Sequence, residues 1–159
     1  MYRRTAFQTV GLFDNDFFLN YEDVDWCMRA QLMGIRGHYV SEAVVYHYGS
    51  VSIVPYSPLH TFYTIRNSLN LIVKNIPLIL LIKYIWPVYK MRLSKSREFA
   101  IYGSFSASMR GFIGFCIGLP KMLVKRQEIM LRRKLSHKDF DKLLFQDIKP
   151  INFLSLLKP

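Results

Sequence analysis

The residues best suited to chemistry stand near the N-terminus. Glu22, Asp23 and Asp25 place three carboxylates within four positions, and His47 follows them at the end of an apolar run. Acids at the first turn of a helix satisfy the helix dipole and capping, so their position alone accounts for one of them. Three so close repel one another and need a further reason. Beside the aromatic Phe18, Tyr21 and Trp26, a carboxylate here suits a general base that takes the proton of a substrate hydroxyl. A histidine at a strand end is placed as metal ligands are, and equally as a core or edge residue is.

The local pattern says which elements position these groups. Arg3 to Val10 reads as a short helix that Gly11 ends. The turn Leu12-Phe13-Asp14-Asn15-Asp16 leads to the apolar anchor Phe17-Phe18. A second helix comes next, with Asn20 as expected N-cap and Asp23 three positions on as the capping-box partner. Its acids crowd the first turn, Val24, Cys27, Met28 and Leu32 share an expected apolar face, and Gly34 stops it. Asp25 and Arg29, four apart, are expected to pair on the outer face. Arg36 to Val40 reads as extended. Ala43 to His47 reads as a strand buried on both faces, and Gly49 to Ser52 as a flexible loop. Pro55 and Pro58 mark a change of composition, which sets expected domains of residues 1–58 and 59–159.

Charge obeys the same division. Of the 159 residues, the first 58 hold four basic groups against six acids, a net of −2, and the remainder holds eighteen against five, a net of +13. A basic half of this kind implies a polyanionic partner. Its aromatics and leucines form apolar blocks flanked by Lys and Arg rather than stacking residues on a polar face. That pattern fits helices lying in a membrane interface better than a nucleic-acid surface, with a soluble helical packing layer as the other reading. The run from Ile76 to Tyr89 is short of a bilayer span, and Phe99 to Pro120 carries Arg110, whose burial at the bilayer centre would cost about 2.5–3.5 kcal/mol. Gly103, Ala107 and Gly111 recur every four residues and allow close helix contact. Cys27 and Cys116 have no metal-ligand spacing and read as free buried thiols in a reducing compartment. The N-terminal residues lack the apolar run of a signal peptide.

The order of residues in this region resembles the C-terminal half of the catalytic domain of family 2 glycosyltransferases, the rhamnosyltransferase-like members in particular. The resemblance runs without a gap from Val10-Gly11-Leu12-Phe13-Asp14-Asn15-Asp16-Phe17-Phe18 through Tyr21-Glu22-Asp23-Val24-Asp25-Trp26-Cys27-Met28-Arg29. It continues at Gly34, Tyr39-Val40, Ala43-Val44-Val45-Tyr46-His47 and Gly49-Ser50. Tyr63, Arg66-Asn67-Ser68-Leu69 and Lys74-Asn75 also resemble the segment C-terminal to that domain in these enzymes. The resemblance implies an α/β fold, the C-terminal half of a GT-A (Rossmann-like) domain with a mainly α-helical tail. It implies transfer of a sugar, with inversion, from a nucleotide-sugar donor to a glycan or lipid-linked acceptor.

By the same resemblance Asp23 is the catalytic base, with Glu22 next in line. His47 is a ligand to a divalent cation, Mg²⁺ or Mn²⁺, on the donor diphosphate. Asp25, Arg29, Tyr21, Trp26, Ser50 and Arg66 are the acceptor or substrate contacts. Family members carry an Asp-x-Asp motif ahead of this region, and none precedes Gly11 here. The chain is therefore expected to be a C-terminal portion that works with a separate nucleotide-binding half, peripherally on the cytoplasmic face of the membrane. A different class is also open, a non-catalytic membrane-interface protein or inactive remnant.

Overall fold

The structure, a computed structural model, describes residues 2–46 and 53–144. Among them run six helices: α1 (Arg4–Val10), α2 (Glu22–Leu32), α3 (Pro58–Asn75), α4 (Leu78–Ile101), α5 (Phe105–Arg132) and α6 (His137–Leu144). There is no strand among the described residues, so the expected α/β, Rossmann-like GT-A half is not what the chain forms. The described part of the expected strand, residues 43–46, and the piece at 36–40 are non-helical and exposed, with Tyr39 at 93% and Tyr46 at 91%. β-formers make a strand only when a neighbouring strand takes up their backbone groups, and no described residue supplies one. His47 and Ser50 lie outside the described residues.

The centre of the fold is the pairing of α3 with α5. Ser57 caps α3, its hydroxyl accepting from the His60 amide at 3.3 Å, and Pro58 sits at the first helical position. Small residues let the two helices close up: Ala107, Ser108 and Gly111 of α5 are buried, as are Thr61, Thr64 and Ser68 of α3. A Cβ on Gly111 would stand 2.7 Å from the Phe62 carbonyl oxygen. Ala107 and Gly111 thus fill the expected contact role, whereas Gly103 lies in the turn between α4 and α5, at φ +73°. Both α4 and α5 run through an internal proline, Pro87 and Pro120, so neither residue ends its segment.

Around this axis sit two apolar clusters. Val10, Trp26, Ala30 and Met33 join α1 to α2, with Ala6, Phe7 and Ile35 against them. Leu32, Leu80, Ile129 and Phe140 tie α2 to α4, α5 and α6. The end of α2 is closed from far along the chain: the Leu32 carbonyl accepts the Lys134 and Leu135 amides at 2.9 and 3.0 Å. The Arg126 guanidinium does the same for α3, donating to the Ile76 carbonyl at 2.7 Å.

Three local expectations are corrected. Tyr21, not Asn20, precedes α2, in the left-handed region and without a side-chain cap; the Asp23 carboxylate instead accepts the Val24 amide at 2.7 Å. The buried side of α2 is Asp25, Trp26, Arg29, Ala30 and Leu32, while Val24 and Cys27 face outward. Cys116 is likewise exposed rather than buried.

Candidate functional site

The acidic turn and α2 are held by a network of buried charge. Asp25 is wholly buried. Its carboxylate accepts from Arg29 Nε at 2.9 Å and Asn75 Nδ2 at 2.8 Å, and Lys74 Nζ lies 2.7 Å from its Oδ1. Arg29 uses its remaining donors on the carbonyls of Val10 and Leu12, both at 2.9 Å. The expected Asp25–Arg29 pair therefore exists, but inside the protein, where it fastens the 11–16 turn to α2. Lys74 also donates to Asp14 at 2.7 Å. Lys125 reaches Asp14 and Asp16, at 2.5 and 2.6 Å, and Lys121 reaches Asp16 at 2.7 Å.

These contacts set the charge states. Burial pushes the Asp14 carboxyl up, but hydrogen bonds from Lys125 and Lys74 outweigh it and hold the group well below the carboxylate range. Asp16 is lowered in the same way: Lys121 and Lys125 overcome its burial. Burial alone would lower Lys125, yet its bonds to Asp14 and Asp16 push it up. Beside them a cavity of about 220 Å³ is lined by Asp14, Arg29, Lys74, Lys125, Glu128 and Arg132.

The loop before α2 is strained and clamped. Phe18, Asn20 and Tyr21 all have positive φ, at 50°, 64° and 71°. Only Asn takes that conformation readily, so the surroundings must enforce it. Asn67, fully buried on α3, donates its amide to the carbonyls of Phe17, Leu19 and Asn20, at 2.5, 2.6 and 3.1 Å. Arg66 donates to Asn67 Oδ1 at 2.9 Å and to the Asp16 carbonyl at 2.6 Å, with its guanidinium over the Phe62 and Tyr63 rings.

The clamp delivers one edge of α2 to solvent. Asp23 is exposed there. Glu22 is half-buried, and its Oε2 has no hydrogen-bond partner among the described residues. Tyr2 and Cys27 lie against the same edge. Burial, with Cys27, Asp23 and Glu22 nearby, pushes the Tyr2 phenol up; partial burial and Asp23 push the Cys27 thiol up. Both groups stay protonated at neutral pH. The edge therefore offers a solvent-facing carboxylate flanked by hydrogen-bond donors, a set able to orient a hydroxyl and take its proton.

The sequence-predicted site residues thus divide. Glu22, Asp23 and Tyr21 surround this edge, with Tyr21 bonded to Arg92. Asp25 and Arg29 are in the buried network. Trp26 is buried, bonding the Gly11 carbonyl through its indole N–H at 2.8 Å and packing on Tyr2, Phe7 and Phe13. Arg66 grips the Asp16 backbone. Among the described residues no three of His, Cys, Asp and Glu come together to hold a metal ion, and the Asp14 and Asp16 oxygens are taken by lysines. The expected ligand His47 lies outside the described residues. Sequence reasoning missed Lys74, Lys121 and Lys125 as partners of the acidic turn and Asn75 as a partner of Asp25, and no local pattern in the sequence names them.

Comparison with proteins of known function finds one similarity. Over 92 aligned residues the chain is 30% identical to dTDP-rhamnosyl transferase RfbF of Shigella flexneri, covering 52% of this chain. The match takes in 31% of that protein, so the chain spans about a third of the relative's length. No family model matches the chain, and no solved structure does.

Proposed function

We propose that the chain is part of an inverting, family 2 glycosyltransferase that moves a sugar from a nucleotide-sugar donor to a glycan or lipid-linked acceptor. The observation that carries this reading is the similarity to a dTDP-rhamnosyl transferase, and a dTDP-linked rhamnosyl donor is the first to try. The geometry of the α2 edge supports it. Inverting transfer needs one carboxylate in line with the attacking hydroxyl, and Asp23 stands exposed at a helix N-terminus, where the anion is stabilised. Glu22 stands next to it in the same first turn of α2. The buried charge network and the Asn67 clamp act as positioning machinery for that edge. Donor binding falls to a nucleotide-binding part beyond these residues.

The test is transfer by this chain supplied with the nucleotide-binding part of a related enzyme in trans, with Mg²⁺ or Mn²⁺ and a panel of nucleotide sugars. Asp23→Asn is expected to lower kcat by about 10²–10⁴-fold with the fold unchanged by circular dichroism. Undiminished transfer by that variant overturns the base assignment. Absence of any transfer with every donor favours the non-catalytic alternative.

A further inference from the structure

The polarity of α4 and α5 is turned outward. In α4 only Leu80 and Phe99 are buried, while Leu78, Ile79, Ile82, Ile85, Trp86 and Tyr89 are all exposed and share one helical face. In α5 the buried side is Ala107, Ser108, Gly111, Met122 and Ile129, and Phe105, Met109, Phe112, Ile113, Ile117 and Val124 line the opposite, exposed face. Apolar patches on this scale are not left to water. One flank of the α4 face carries Lys83, Lys90 and Arg97, and Lys90 sits over the Trp86 ring. No carboxylate pairs with Lys90, Arg97 or Arg110 among the described residues. An apolar stripe, interfacial Trp and Tyr, and the unpaired Lys90 and Arg97 beside it complement a surface that is apolar beneath and anionic above.

We propose that the outward faces of α4 and α5 seat in the headgroup layer of an anionic lipid bilayer, the helices lying in its plane. Of the described helices α5 is the one long and apolar enough to cross a membrane by length and composition. Its other face, however, is committed to α3, and its Lys121 and Lys125 to the acidic turn, so the in-plane position keeps these contacts in water. The proposal is independent of the sugar-transfer reading.

The experiment uses the full chain with vesicles of phosphatidylcholine, with and without phosphatidylglycerol, read by co-sedimentation and by quenching of tryptophan with brominated lipid. Anionic vesicles should bind it more tightly than neutral ones, with the difference shrinking as salt rises. Brominated lipid should quench Trp86 and spare the buried Trp26, so Trp86→Phe removes the quenchable signal. Ile82→Glu with Ile113→Glu should weaken binding by at least about tenfold, with helix content unchanged. Three results overturn the proposal: equal binding to neutral vesicles; retention in the bilayer after alkaline carbonate, which means a span; or a stable solution dimer that ignores vesicles and that Ile82→Glu dissociates.

Discussion

Lys74 is the residue on which the acidic turn depends most. Its ammonium is almost fully buried and bridges Asp14 and Asp25, themselves on separate segments. Lys74→Met removes the bridging charge and leaves the Asp25 carboxylate buried with fewer partners, which is expected to cost about 3–5 kcal/mol in urea denaturation. The Asp14 and Asp16 carboxyls, held low in the folded protein, give stability that is fully present above the unfolded carboxylate range of about 4. It is lost as pH falls through the folded values, because the unfolded chain takes up protons first. The urea midpoint should therefore drop on acidification below about pH 4, and Asp14→Asn should flatten that slope. Lys125 works in the opposite sense: its raised value gives stability present below its ordinary range and lost as pH rises through the folded one. None of this was legible in the sequence. Asp25 reads only as the partner of Arg29, and the basic residues of the second half as facing an anionic surface, because Lys74, Lys121 and Lys125 find their carboxylates on a distant segment that no local pattern names.

At the scale of elements, what is local is legible. The glycine at 11 ends α1, the acids open α2, and α3 starts at the proline at 58, since caps, dipoles and breakers act within a turn or two. The expected strand fails over its described residues 43–46 for the converse reason, because a strand is completed by another strand. Contact between α3 and α5 was half legible, in the spacing of Ala107 and Gly111. Gly111→Ala drives a Cβ against the Phe62 backbone and should cost about 1–3 kcal/mol. Gly118, on the same helix, has nothing within 4 Å of a built Cβ, so Gly118→Ala should be neutral or stabilise by up to about 1 kcal/mol through helix propensity. Thermal unfolding of the two variants side by side separates packing from propensity.

At the scale of the molecule, the acidic N-terminal region and the basic helices are one body of interlocking charge. The excess charge that reads as a polyanion-binding tail is partly spent on Asp14, Asp16 and Asp25, through Lys74, Lys121 and Lys125, while Lys90, Arg97 and Arg110 remain exposed on α4 and α5. A chain shortened after residue 120 would lack Lys121, Lys125 and the Lys134 and Leu135 amides that close α2. It should lose cooperative unfolding while keeping residual helix, as followed by circular dichroism in urea.

The bond from Lys134 and Leu135 back to the Leu32 carbonyl has a consequence for synthesis. Ribosomes add about 5–20 residues each second, so the donors that finish α2 emerge roughly 5–20 s after it does. Lys125 reaches Asp14 after a similar wait. During that interval α2 has an open end, Asp16 lacks its lysine partners, and the apolar face of α4 is already made. Over this interval the apolar face of α4 is exposed before the contacts that close the fold exist.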